Sequence, residues 1–258
     1  MKKALFYPDP PVRLSGHTLS KVITYFVLNG YELTNDINDD WEIAVHWDVR
    51  DINETPKELL GDKRMVLNRN LNDVTKSNVD KIFTEVFGYS SLADTTKLGY
   101  CVCKNEKQST HDGKIIKTPC KKDDGYIYQL LIDNRMSLAM VYDIRIIVFL
   151  GKISSLFLKY KSMDGMFENN PPIREVYHTD SIGDFLHDDE VEKILLFSSK
   201  IGLDMGEIDA LRDNSTGNLY LIDVNNIPGG GVFDDIENGH EVRKQLALFL
   251  KKQLDEYT

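Results

Sequence analysis

Apolar positions recur along the chain in two rhythms. Short apolar blocks at residues 4–7, 42–47 and 65–67 predict strands. Between the first two, Leu19, Val22, Ile23, Phe26 and Val27 recur at steps of three and four, so residues 16–28 are expected to be helical. Strand, helix and strand in this order predict a short α/β unit over residues 1–68, with a parallel sheet. Helical spacing returns at 76–87, where Val79, Ile82, Phe83, Val86 and Phe87 share one side and Gly88 stops the run.

The middle of the chain then turns to β. Residues 100–104, 114–118 and 125–132 predict strands, and 138–150 with 153–161 predict a long hairpin turned at Gly151-Lys152. Residues 162–184, which contain Pro171-Pro172, are expected to be loop. A helix over 188–200, a hairpin from Met205 to Asn225 and a last helix to about residue 254 complete the reading. Hairpins inserted between α/β segments predict α+β subdomains around a cleft. Neither an internal repeat nor a low-complexity linker interrupts this order.

The hairpin from Met205 to Asn225 carries the most chemistry. Turn residues fill 213–218. Centring the loop on Thr216 puts Asp209 opposite Asp223 and Glu207 opposite Asn225. Alternation then places these four side chains on one face, with Ile208, Ala210, Ile222 and Val224 on the other. Directly opposed side chains have Cβ atoms roughly 5 Å apart. Three carboxylates so close repel unless a cation sits among them. An all-oxygen set with one amide suits Mg2+ or Mn2+ rather than zinc. A solvated polar face is the plainer alternative, but the apolar opposite face and the following run 226–231, Asn-Ile-Pro-Gly-Gly-Gly, favour a ligand site.

Charge sharpens this picture. The chain has 258 residues and a net charge of −10 from 31 basic and 41 acidic residues, which disfavours bulk binding to nucleic acid or an anionic membrane. Yet residues 97–122 hold seven lysines (97, 104, 107, 114, 117, 121 and 122) against only Glu106 and Asp112. Lys104 ends a predicted strand on the face opposite Cys101 and Cys103. The polar loop 105–113, ending Ser109-Thr110-His111-Asp112-Gly113, offers the hydroxyls and amides that a polyphosphate needs. On its own it reads equally as an exposed hairpin tip. Cys101, Cys103 and Cys120 lack zinc-site spacing and are expected to be free thiols. The short apolar N-terminal stretch is no signal peptide, and no run of ~18 apolar residues occurs, so a cytoplasmic protein without a membrane span is expected.

With these residues in view, 68–225 resembles the ATP-grasp superfamily, in particular carboxylate–amine ligases of the glutathione synthetase and ribosomal-protein glutamate ligase type. The carriers are Gly202-Leu203-Asp204, Ile208-Asp209, Leu221-Ile222-Asp223-Val224-Asn225 and Pro228-Gly229. The resemblance implies an α+β ATP-grasp fold, two α+β subdomains gripping ATP (small, about 94–130; large, about 131–258) behind the short N-terminal unit, with the ATP-grasp domain spanning 69–258. It further implies Asp209, Asp223 and Asn225 as Mg2+ ligands, and Lys76 and Lys104 as the lysines that contact ATP. Ser109, Thr110, His111 and Gly113 would cover the phosphates, while Gln129 and Leu131 would read adenine and Asp133 the ribose. Asp143-Ile144-Arg145 is similar to a strand start whose arginine faces the transferring phosphoryl group. Lys159 or Lys161, of which Lys161 is preferred, and Arg174 would add further cations there. Glu207 lies outside the implied set.

The activity so implied is ATP- and Mg2+-dependent ligation, in which a carboxylate becomes an acyl phosphate and an amine attacks it. Small-molecule substrates are expected, a homodimer is left open, and no nucleic-acid or membrane partner is expected. Aspartate at 223, where most such ligases carry glutamate, also resembles inositol-phosphate kinases of the superfamily. A small-molecule kinase and an inactive ATP-binding protein are therefore the competing readings. His46-Trp47 in the N-terminal unit is read as packing.

Overall fold

A computed structural model describes residues 2–7, 18–47, 59, 64–107, 110, 112–168, 171, 173–226, 228 and 232–257. Strands β1 (Lys3–Tyr7), β2 (Glu32–Thr34), β3 (Ile43–His46) and β4 (Met65–Leu67) form a parallel sheet in the order β2–β1–β3–β4. Helix α1 (Thr18–Leu28) follows β1. The three-residue edge strand β2 has no sequence signal, since none of its residues is fully buried.

Helix α2 (Lys76–Phe87) begins where the Thr75 side chain accepts the Asn78 N–H, and ends at Gly88 with φ 83°. A three-stranded antiparallel sheet follows, ordered β6–β5–β7, from β5 (Gly99–Asn105), β6 (Lys114–Thr118) and β7 (Tyr126–Leu130). The largest sheet is antiparallel, ordered β10–β9–β8–β11–β12. Its strands are β8 (Met140–Phe149), β9 (Lys152–Ser162), β10 (Arg174–Thr179), β11 (Met205–Arg212) and β12 (Leu219–Asn225). Helix α3 (Asp188–Ile201) precedes β11, and α4 (Gly239–Tyr257) closes the described chain.

Two expectations need correction. Residues 162–184 are not all loop, because β10 pairs with β9 along the sheet edge. An edge strand is hydrogen-bonded on one side only, and Val176 alone among its residues is buried, so it carries little apolar pattern. The β8–β9 turn falls at Leu150-Gly151 rather than Gly151-Lys152. Both turn residues have positive φ, 46° and 72°, as a two-residue hairpin with the right twist requires.

The large sheet separates two cores by the alternation of its strands. Its back face sends Ile144, Ile146, Leu156, Leu158, Ile208, Ala210 and Val224 against Val79 and Phe83 of α2 and Ile194 and Phe197 of α3. Its front face divides along the strands. One end sends Ile147, Phe149, Phe157, Val176 and Met205 into a core shared with the N-terminal sheet and α4. The other end of that face is charged.

Candidate active site

The β11–β12 ladder pairs Asp209 with Asp223 and Glu207 with Asn225, the register expected from the turn. A bulge then shifts the pairing by one, so that Ala210 meets Leu221 and Ile222 is the unpaired extra residue. Ile222 consequently sits only partly buried against the back core, while Ile208, Ala210 and Val224 are fully buried in it. The acids lie on the other face by alternation.

Strand β8 lies beside β11 and sets Arg145 directly opposite Asp209. Arg145 donates from Nε to Asp209 Oδ1 at 2.8 Å and from Nη2 to Oδ2 at 2.9 Å. Its Nη1 lies 2.6 Å from Glu207 Oε1. Lys159 on β9 donates to both Asp209 oxygens, at 3.1 and 3.2 Å, and Lys161 donates to Asp143 at 2.6 Å. Lys159 and Glu207 are 6% and 3% exposed, so these charges interact with little screening by water. Burial pushes the Asp209 carboxyl up, but Arg145 and Lys159 overcome it and hold the group far below the carboxylate range. For Lys159, burial and the repulsion of Arg145 prevail over Asp209 and lower its pKa.

The small sheet faces this cluster. Burial lowers the Lys104 pKa, opposed first by Asp223 and more weakly by Asp143 and Asp209, while Lys76 adds repulsion. Lys104 therefore lies within electrostatic reach of the acids on the large sheet. Lys76 opens α2 and donates to the Lys107 carbonyl at 2.8 Å, which ties the helix to the loop after β5. Glu106 in that loop accepts from the Ser77 backbone N–H at 3.1 Å and from its hydroxyl.

Beside β7, the segment Ser91–Ala93 is held by the buried Asp80 of α2, which accepts both the Ser91 N–H and hydroxyl at 2.7 Å. Gln129 donates its amide to Ser91 Oγ at 3.3 Å, and its Oε1 is buried with no hydrogen-bond partner among the described residues. Since Ser91 already donates to Asp80, the Gln129 amide must be the donor, which leaves the orphan acceptor in place. Such an atom fits a donor on a bound molecule.

Other expected positions stand apart. Thr110 bonds Asp112 at 2.8 Å, and the space beside Gly113 is filled by the Phe167 ring, which a Cβ would meet at 2.8 Å. Ser109 and His111 lie outside the described residues. Leu131 is 39% exposed. Asp133 is bound by Arg135 at 2.6 and 2.8 Å, whose hydrogen bonds hold its carboxyl down to about 2. Arg174 pairs in register with Lys161 on the front face and forms an ion pair with Asp235. Cys101 and Cys103 are buried free thiols, Cys120 is a partly buried one, and His46 is buried.

Asp143 and Glu207 are members of the charged face that sequence reasoning left without a role. The signal was parity, because 143 and 145, 159 and 161, and 207 and 209 each share a face. An apolar hollow lined by Met136, Met140, Tyr160 and Tyr177 lies away from this cluster.

The donor set decides which metal fits. Among the described residues no three His, Cys, Asp or Glu side chains gather as a ready-made metal site. Asp209 and Asp223 face each other with Asn225 two residues along. One or two carboxylates completed by substrate phosphate oxygens and water is how Mg2+ is commonly held, so the residues fit that ion and not zinc.

No protein-family model matches the sequence, and no curated protein matches it significantly. Solved structures do match. The ATP-grasp ligase PsnB complexed with its minimal precursor has a TM-score of 0.58 at 12% identity, over 98% of this chain and 100% of that one. D-alanine–D-alanine ligase from Bacillus anthracis, complexed with ATP, has a TM-score of 0.56 at 15% identity over 99% and 98%. Macrocyclase MdnC from Microcystis aeruginosa, bound with precursor peptide MdnA, has a TM-score of 0.51 at 10% identity over 97% and 99%. The chain has the fold of these structures. Among the described residues, no helix is long and apolar enough to cross a membrane.

Proposed function

We propose, from the ATP-grasp fold, that this protein is an ATP- and Mg2+-dependent ligase that activates a carboxylate as an acyl phosphate for attack by an amine. The observation that carries this reading is the opposition of Asp209 and Asp223, with Arg145 and Lys159 gathered on Asp209 and Lys104 facing them from the small sheet. Asp209, Asp223 and Asn225 would hold Mg2+ (or Mn2+), which when bound neutralises phosphate charge and orients the transferring group.

The chain's own groups do the rest. Lys76 and Lys104 bind phosphate oxygens, and the loop with Ser109, Thr110, His111 and Gly113 covers them. Gln129 and Leu131 receive the adenine; the orphan Gln129 Oε1 accepts a hydrogen bond from its amino group. Asp133 is assigned to the ribose and would exchange Arg135 for a hydroxyl. Arg145, with Lys159 and Lys161 beside it, stabilises charge on the transferring phosphoryl group and on the tetrahedral intermediate. Arg174 extends the cationic edge towards the carboxylate. The small subdomain about 94–130, the large one about 131–258 and the unit 1–68 form the jaws and the substrate end.

The comparisons support these partners through what their structures contain: PsnB with Mg and ADP, and the D-alanine ligase with ATP. PsnB and MdnC were also captured with precursor peptides, which supports counting peptides among the candidate substrates beside small molecules. Asp223 favours a second reading, a small-molecule kinase of the same fold. Product analysis with Mg-ATP and pools of carboxylates, amines and acidic peptides separates the two. Amine-dependent release of both ADP and free phosphate supports the ligase. ADP with a phosphorylated product and no free phosphate would replace it with the kinase.

A further inference from the structure

Both oxygens of Asp209 are engaged by cationic side chains, yet the function proposed above needs those oxygens for a divalent ion. Arg145 holds them at 2.8 and 2.9 Å, and Lys159 at 3.1 and 3.2 Å. An ion arriving at Asp209 meets two like charges, and repulsion must displace them. Neither cation can be released cheaply, because Lys159 is buried and Arg145 nearly so, and each would lose its partner while gaining little water.

Each has a second acid within reach. Arg145 Nη1 already contacts Glu207 Oε1 at 2.6 Å, and Lys159 Nζ lies 3.9 Å from Asp143 Oδ2. Glu207 sits where the front face turns apolar, next to Met205 along β11 and opposite Ile147 on β8. A carboxylate so buried is costly unless it holds a cation, and Arg145 is that cation.

We infer that Glu207 is a positioning residue that retains Arg145 on the sheet face when a divalent cation claims Asp209. The inference rests on the metal reading above. In the metal-free protein Arg145 and Lys159 neutralise Asp209 in the ion's place. Metal binding is then an exchange of partners, with Arg145 kept by Glu207 and Lys159 drawn towards Asp143. The guanidinium, still held through Nη1, has Nε and Nη2 freed for phosphoryl oxygens. No side chain has to leave the face.

The test is a titration of Mn2+ alone into the full-length protein, followed by the electron paramagnetic resonance of free Mn2+. In Glu207→Gln the guanidinium keeps only a neutral amide acceptor in place of its second ion-paired carboxylate, so the Kd for Mn2+ is expected to rise about tenfold. In an Arg145→Met background nothing needs relocating, and adding Glu207→Gln should change Kd by less than about twofold. Glu207→Asp keeps the charge at shorter reach and should raise Kd only about threefold. It carries the same comparison if the glutamine variant does not fold. Equal weakening in both backgrounds would make Glu207 a direct ligand and overturn the inference. Unchanged affinity in both would overturn it too. A wild-type protein that binds no Mn2+ removes the metal reading itself, whereas wild-type binding unaffected by Glu207→Gln removes only the positioning role.

Discussion

Arg145 and Asp209 stand directly opposite each other across the β8–β11 ladder and share a two-pronged ion pair, Nε to Oδ1 at 2.8 Å and Nη2 to Oδ2 at 2.9 Å. Each side chain is 14% exposed, so the pair is partly buried and its members depend on each other. Asp209→Ala leaves Arg145 ion-paired with Glu207 and deprives Lys159 of its nearest anion. A loss of about 3 kcal/mol is expected, read by urea unfolding. The double variant Arg145→Met, Asp209→Ala should lose less than the sum of the two single losses. Additive losses would mean that the pair is not coupled.

A pH effect follows from Lys104 and Lys159. Burial lowers both pKa values below the ordinary lysine value of 10.5, so the folded free protein gives up these protons before the unfolded chain does. Binding an anionic polyphosphate needs the charged forms. As pH rises through the lowered values, kcat/KM for ATP is expected to fall, and to do so below pH 10.5. Lys104→Arg, which stays charged, should move that alkaline limb upward. A limb indifferent to this change would remove Lys104 from the binding step.

Asn68 joins the N-terminal unit to the large sheet. It is fully buried with φ 60°, its Oδ1 accepts the Asp204 and Met205 N–H groups at 2.9 Å, and its Nδ2 donates to the Met205 carbonyl at 2.8 Å. Asn68→Ala orphans these backbone groups and is expected to cost about 3 kcal/mol, read by thermal or urea unfolding. Gly202→Ala attacks the same joint, since a Cβ there would lie 2.4 Å from the Asn70 carbonyl and the residue has φ 86°. Both variants should lower stability; a neutral result at both would mean that the joint contributes nothing.

Gln129 gives a narrower expectation. Replacing it by Leu removes the buried Oε1 that has no partner among the described residues. The loss of one hydrogen bond to adenine should raise KM for ATP roughly tenfold with kcat nearly unchanged. Equal affinity in the variant would place the adenine elsewhere.

The parts legible in the sequence were those where local chemistry and periodicity agree. Turn residues at 213–218 placed the hairpin, but the strands leave the turn one residue out of the expected register, with Arg212 opposite Leu219. The bulge between the turn and the acids is what brings Asp209 opposite Asp223. Helix α2 was readable from its apolar side and from Gly88. Strand β10 was not, since it buries one residue and follows two prolines. The sequence showed that Lys159 and Lys161 share a face but not how they divide their partners. That division depends on β8 and β11 lying side by side, which puts Asp143 near Lys161 and Asp209 near Lys159. The pairing of Glu207 with Arg145 is likewise a contact between distant strands, with no local signature.

The most direct test is a crystal of the protein with Mn2+ and a non-hydrolysable ATP analogue, examined by anomalous scattering. The account expects a manganese peak about 2.1 Å from carboxylate oxygens of Asp209 and Asp223, bridged to the phosphates, and absent in Asp223→Asn. Nucleotide bound with no manganese at these two aspartates, or manganese retained there in Asp223→Asn, would contradict it.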